Sequence, residues 1–397
     1  MKIAIIADAF PQVSETFILN QITSLIDLGN EVDVLAFVKK DEKKVHQDVI
    51  KYGLLKKAIF FKPPPQKRWQ RILKALKIFL LYFIFYPREL IKCFNHKKYG
   101  GKYYALKILF LLEPFLKNKY DVIHCQFGPV GNKLIFLKDI LPRIKFLTTF
   151  HGYDIRLGLE KGNGIYKDLF RKVDYIVSIC NYNTHRLLQL GCLSNKIIYH
   201  PNGININSFR SSKGLQNRGY FVITTVARLV KEKNILFALE VISSLKKENS
   251  YKFKYYLIGN GYLKDEVERR IKKLNLEESV ILFGALSNDE IKEKLNETDI
   301  FFLPSKQEAF PTVLLEAQAM GVPVVAANIG GVSETLQDGV TGYLLSSYAL
   351  QEAKSKIDNL LQDEVLKIKM GKSGRRFIED NFDIRKLSKR LVDIYNS

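Results

Sequence analysis

What the chain lacks narrows its function first. No Asp-x-Asp occurs in its 397 residues and no His/Cys cluster has metal-ligand spacing, so the usual sequence signs of a divalent-cation site are missing. The first apolar run, Ile3–Ala7, leads into Asp8-Ala9-Phe10-Pro11-Gln12-Val13. A dinucleotide-binding strand would open a GxGxxG turn there, which argues against a nicotinamide enzyme. The four cysteines, Cys93, Cys125, Cys180 and Cys192, have neither CxxC spacing nor a framework pattern and read as reduced thiols. The opening residues lack the apolar length and cleavage site of a signal peptide, and no run approaches the roughly 20 apolar residues of a membrane span. Acid is scarce: 41 Asp and Glu face 62 Lys and Arg, a net charge of +21. Such an excess points to an anionic partner: nucleic acid, anionic lipid or a phosphorylated substrate. No nucleic-acid-binding motif is present, which leaves the other two.

The chain contains an alternation of strand and helix patterns. Short apolar, β-rich runs at 2–7, 31–37, 122–124, 146–150, 175–179 and 197–200 are separated by helical patterns such as 15–28. The second half repeats this at 221–226, 254–258, 280–283, 300–303, 322–326 and 342–344. The pattern predicts an α/β protein with parallel sheets covered on both faces, organised as two Rossmann-like domains. The polar stretch 203–219, rich in Asn, Ser and Gly, marks a boundary. We expect domains over 1–205 and 206–379, and an amphipathic helix in about 380–397.

The most informative stretch runs from Pro304 to Leu345. Glu308 and Glu316 are separated by seven residues, Phe310-Pro311 lies between them, and Gly330-Gly331 follows. Pro311 suits a helix start, Val313–Met320 is helical in composition, and Gly321 stops it. One carboxylate therefore precedes a helix and the other lies on its early turns, where the N–H groups of Thr312 and Val313 favour an anion. Carboxylates in that position suit sugar hydroxyls. Upstream, Arg228 and Lys233 follow the strand pattern 221–226, at the strand end where α/β sheets bind ligands. Two fixed cations there stabilise the charge of a departing diphosphate.

The spaced glutamates and the Gly-Gly turn resemble the signature of the family-4 retaining glycosyltransferases. That family has the GT-B fold, two Rossmann-like domains facing across a cleft. Val226–Asn234 (VARLVKEKN) is similar to the family's Arg…Lys phosphate motif, and Leu257-Ile258-Gly259-Asn260-Gly261 to its glycine turn. His151-Gly152 and Pro201-Asn202-Gly203-Ile204 also fall where the family has such elements. Within the family, Ser14-Glu15-Thr16-Phe17-Ile18 resembles enzymes of exopolysaccharide assembly of the colanic-acid type.

The resemblance implies that Arg228 and Lys233 contact the donor diphosphate, Glu316 the ribose and Glu308 the transferred sugar, with His151 close to that sugar. Gly259, Gly261, Phe310, Pro311, Thr312 and Val313 complete the donor site, and Ser14, Glu15 and Thr16 form a first-domain loop on the acceptor side. It implies transfer with retention, no metal and no cofactor. The co-substrate is a nucleotide sugar, UDP-hexose favoured over GDP-hexose. The first domain binds the acceptor, and the last helix packs back on it. The chain departs from the family in lacking a Gly-Gly pair after the first strand, where Phe10–Thr16 stands instead. Ser14 is placed to cap the following helix.

Between Lys62 and Lys107 twelve Lys and Arg residues accompany a single acid, Glu89, around IFLLYFIFY at 78–86. A buried helix would explain the apolar run. The one-sided charge and interleaved aromatics favour an anionic membrane face. The expected protein is a cytoplasmic hexosyltransferase, peripheral on the inner face of the membrane, acting on a lipid-linked oligosaccharide in cell-surface polysaccharide assembly. The alternatives are a nucleotide-sugar epimerase of GT-B-like fold, which needs no membrane patch, and a non-catalytic sugar-nucleotide or lipid-binding scaffold, which needs none of Glu308, Arg228 and Lys233.

Overall fold

A computed structural model describes residues 1–12, 15–41, 46–100, 102–162, 164–210, 218–248 and 252–397. The chain divides into two compact units. Residues 1–179, 183–200 and 388–397 form the first, and 180–182 with 201–387 form the second.

The first unit is built on seven parallel strands: β1 (Lys2–Phe10), β2 (Glu31–Lys39), β3 (Ile59–Phe60), β4 (Val122–Gln126), β5 (Lys145–Phe150), β6 (Tyr175–Ser178) and β7 (Ile197–Tyr199), in the order β3-β2-β1-β4-β5-β6-β7. Every residue of β4 is buried, as expected of a strand with helices on both faces. On one face, the helix Thr16–Asp27 presents Ile18, Leu19, Ile22 and Leu25 at helical spacing. They share a core with Val122 and Leu147 of the sheet and with Leu391 and Tyr395 of the last helix, Ile384–Asn396. On the other face, Ala75, Ile78, Leu90 and Leu109 lie in a second core.

The second unit has six parallel strands: β8 (Phe221–Val226), β9 (Phe253–Ile258), β10 (Val280–Gly284), β11 (Ile300–Leu303), β12 (Val324–Ala327) and β13 (Gly342–Leu345), ordered β10-β9-β8-β11-β12-β13. β11 and β12 are wholly buried. Residues 201–205, expected in the first domain, belong to this unit. Ile204 bridges to Asp383, and its N–H and carbonyl bond to Phe382 O and Ile384 N at 3.0 Å each.

Both sheets reverse direction of growth, between β1 and β4 and between β8 and β11, and such reversals gather ligands beyond the strands' carboxyl ends. The loop after β11, residues 304–311, is held by a close approach. Gly330 has φ +59°, and a Cβ there would lie 1.8 Å from the Glu308 carbonyl oxygen. A left-handed backbone costs a side-chain-bearing residue about 1–2 kcal/mol. Gly339 (φ +74°, nothing within 4 Å) isolates that conformational cost. Gly330→Ala is therefore expected to lower the melting temperature clearly more than Gly339→Ala. Equal losses in thermal unfolding would mean that the 304–311 loop is not held by this contact.

Candidate active site

In the second unit the chain leaves β8 and runs against the turn after β9. The Ala227 N–H donates to Ile258 O at 2.9 Å, Leu229 N–H to Asn260 O at 2.9 Å, and Leu263 N–H to Leu229 O at 3.0 Å. The two glycines of that turn permit this approach: a Cβ on Gly259 would lie 1.9 Å from Ala227 O, and one on Gly261 2.3 Å from Leu229 O. Next comes a single 3-10 turn, Lys231–Lys233. The Lys306 N–H donates to Glu232 O at 2.7 Å, joining the loop after β11 to that turn.

This brings Lys233 and Glu308, 75 residues apart, into contact. Lys233 Nζ donates to Glu308 Oε1 at 2.5 Å, with the two side chains only 19% and 9% exposed. Arg228 stays exposed and makes no ion pair among the described residues. The helix that follows spans Thr312–Ala319, with Pro311 at its N-cap. The first-turn N–H groups of Thr312 and Val313 have no acceptor inside the helix. The Phe310 ring is buried against Phe382, centroids 5.7 Å apart, so it anchors the loop and offers a ligand only backbone. Glu316 lies in the helix's second turn, half-buried. Burial, offset only in part by Lys292, pushes its carboxyl up to about 7.

In the first unit, His151 follows β5. Its Nε2 and the Gln126 Oε1 are 2.9 Å apart, the rings of Phe17 and Phe127 lie 4.6 Å from its own, and its Nδ1 is buried without a partner. Burial pushes its pKa down to about 3, so the ring is neutral. The backbone here is claimed by Asp154, which sequence reasoning did not single out. Its buried carboxylate accepts from the N–H groups of Gly128, His151, Gly152 and Ile155 at 2.8–3.2 Å. The His151 and Gly152 N–H groups are thus not free for a ligand. The signal was an Asp placed three residues after His151, where it closes a turn on its own backbone.

Ser14 lies outside the described residues. The N-cap of the helix Thr16–Asp27 is Glu15, without a side-chain cap bond, and not Ser14. The reason is that the helix starts one residue later than a Ser14 cap requires. Glu15 accepts from Gln12 Nε2 at 2.7 Å, and burial pushes its carboxyl up to about 7. With Thr16, Gln12 and His46 it lines a water-sized cavity of about 30 Å³ at the end of β1. Among the described residues no three His, Cys, Asp or Glu side chains cluster as a ligand set.

Comparison with known proteins fits this arrangement. Residues 208–377 match the family described as Glycosyl transferases group 1, and residues 86–208 match Glycosyltransferase Family 4. The chain is 30% identical to the amylovoran biosynthesis glycosyltransferase AmsK of Erwinia amylovora over 99% of both chains. It is 29% identical, again over 99% of both, to the Escherichia coli K12 protein named "Putative colanic acid biosynthesis glycosyltransferase WcaL". It is also 27% identical, over 70% of this chain and 76% of the other, to an Escherichia coli UDP-Gal:alpha-D-GlcNAc-diphosphoundecaprenol alpha-1,3-galactosyltransferase. In fold it resembles the crystal structure of Anabaena Alr3699/HepE in complex with UDP, with a TM-score of 0.78 at 18% identity over the whole of both chains. Two doubly wound units, a near-full-length likeness to exopolysaccharide enzymes and a glutamate-bearing loop at the second sheet's reversal agree: the chain belongs to the family-4 glycosyltransferases of GT-B fold.

Proposed function

We propose that this protein moves a hexose from a UDP-sugar to a lipid-linked saccharide during exopolysaccharide assembly, with retention of anomeric configuration. The observation that carries the reading is the Lys233–Glu308 contact at the reversal of the second sheet, with Arg228 exposed where the chain leaves β8 and without an ion pair among the described residues. The UDP bound by HepE and the diphosphoundecaprenol-linked acceptor in the galactosyltransferase's name support the donor and acceptor classes. Arg228, Lys233 and the first-turn N–H groups of Thr312 and Val313 take the diphosphate, Glu316 accepts from the ribose, and Glu308 accepts from hydroxyls of the transferred sugar. The acceptor oxygen bonds to the anomeric carbon on the face that the diphosphate leaves. As the carbon–phosphate-oxygen bond breaks, the acceptor proton passes to the departing phosphate oxygen. The two cations stabilise the charge that develops there. The first unit serves the acceptor side, with His151, Glu15 and Thr16 at the ends of β5 and β1.

The membrane side of the proposal rests on the helix Arg68–Phe83, which buries only Ala75 and Ile78. Trp69, Leu73, Leu76 and Leu80 are more than half exposed, and beyond the helix Ile84 and Phe85 reach 81% and 74%. Lys67, Arg68, Lys77 and Arg88 are exposed beside them. No described helix is long and apolar enough to cross a membrane. An apolar face rimmed by cations fits the interface of an anionic bilayer, at about 1 kcal/mol of attraction per basic residue.

Three outcomes follow from this reading. With excess EDTA present, Glu308→Ala should lower kcat by about 100-fold or more, and Lys233→Ala should weaken both UDP binding and turnover. The double variant should lose little beyond the worse single one, because each residue stabilises the other's charge. Near wild-type kinetics in either single variant, or activity abolished by EDTA alone, would sink the assignment.

Glu316 supplies a pH test. The folded protein holds a proton on this carboxyl up to about 7 that the unfolded chain releases near 4.5, so stability declines as pH rises through that interval. Glu316→Gln removes the decline. Its melting temperature relative to wild type should rise between roughly pH 5 and pH 8, while its affinity for UDP falls. A pH-independent difference would contradict the burial argument.

For the membrane, wild type should co-sediment with phosphatidylglycerol vesicles and much less with phosphatidylcholine. Reversing Lys67, Arg68, Lys77 and Arg88 to Glu should reduce that binding and spare UDP affinity. Equal binding to both lipids would remove the electrostatic part of the proposal.

A further inference from the structure

Behind His151 runs a continuous chain of buried side-chain hydrogen bonds, all within the first unit. Gln126 Nε2 donates to Gln21 Oε1 at 3.1 Å, Gln21 Nε2 lies 3.2 Å from His124 Nδ1, and the Tyr395 hydroxyl lies 2.7 Å from the same nitrogen. At the far side of the ring, His124 Nε2 is 2.6 Å from Thr149 Oγ1. The geometry follows from the fold. His124 and Gln126 alternate onto one face of β4, and that face is covered by the helix carrying Gln21 and by the last helix, carrying Tyr395.

Such a chain can point in only two directions. Both histidines are neutral, His124 also being held down to about 3 by burial and then by His200 and His151, so each carries one proton. In the first direction Tyr395 and Gln21 donate to His124 Nδ1, His124 donates to Thr149, and His151 donates from Nε2 to Gln126. His151 Nδ1 is then a bare lone pair. In the reverse direction His151 Nδ1 carries the proton, a buried N–H with no acceptor. An orphaned donor costs more than an unused lone pair, so the first direction wins. The Tyr395 phenol, a stronger donor than acceptor, reinforces it by donating to His124 Nδ1.

We infer that Tyr395 is a positioning residue. Through His124, Gln21 and Gln126 it keeps His151 Nδ1 unprotonated, as an acceptor for a hydroxyl of the saccharide. The inference rests on the proposed place of His151 on the saccharide side. Removing the hydroxyl takes the shorter of the two donors away from His124 Nδ1 and makes the reverse direction competitive.

The test is nitrogen-15 NMR of histidine-labelled full-length protein together with steady-state kinetics. Wild type should show His151 protonated on Nε2 alone. Tyr395→Phe should show the Nδ1-protonated form in addition. It should lose about tenfold or more in kcat, with the KM for the nucleotide sugar within about twofold. Leu391→Ala, which loosens the same helix without touching the chain, should lower the melting temperature and leave both the His151 tautomer and kcat unchanged. Nδ1 protonation in wild type, an unchanged tautomer in Tyr395→Phe, or an equal kcat loss in Leu391→Ala would overturn the inference. An altered tautomer with intact turnover would instead remove His151 from the reaction and leave Tyr395 without a catalytic consequence.

Discussion

A parallel sheet buried on both faces leaves charge almost no place except beyond the ends of its strands. β4, β11 and β12 are buried along their whole length, and helices cover both sides of each sheet. Formal charge therefore gathers in the loops that leave the carboxyl ends, and the reversal in strand order decides where two such loops meet. Lys233 and Glu308 meet for this reason. The chain that leaves β8 and the chain that leaves β11 emerge side by side because those strands are neighbours. Glycines then let backbone touch backbone, with Gly259 and Gly261 against 227–229 and Gly330 against Glu308.

The two units put that constraint to different electrostatic use. The second gathers formal charges at partial exposure, with Lys233 held against Glu308. Behind His151 the first keeps a chain of uncharged polar groups. His124 and His151 are uncharged, amides bridge them, and the buried carboxylate of Asp154 is surrounded by four backbone N–H groups. A neutral site offers directional hydrogen bonds and little attraction for a phosphate.

Much of the fold was legible because strands buried on both faces are short apolar runs. β8 and β11 coincide with the runs at 221–226 and 300–303, and both sheets follow from the repeated alternation. β3 was not legible, since two residues at a sheet edge carry no periodic signal. The seven-residue spacing of Glu308 and Glu316 shows in the sequence, whereas the contact between Lys233 and Glu308 depends on which strands are neighbours. The chain from Tyr395 to His151 is equally hidden, because it joins residues 244 positions apart through groups that look like ordinary core polar residues. The exposure of the helix Arg68–Phe83 shows the opposite failure. By length its apolar run reads equally well as core, the one-sided charge around it favours an exposed face, and the packing shows most of the helix facing outward.

The membership of residues 388–397 in the first unit bears on how the chain is made. Synthesis delivers β1–β7 first, then the whole second unit, and only afterwards the segment that contributes Leu391 and Tyr395 to the first core. During translation that core is missing two of its buried side chains, and the face of β4 that carries His124 is without its tyrosine. The second unit, contiguous apart from three residues made earlier, can reach its own packing before that happens. The unit begun first is thus the one whose chain is completed last.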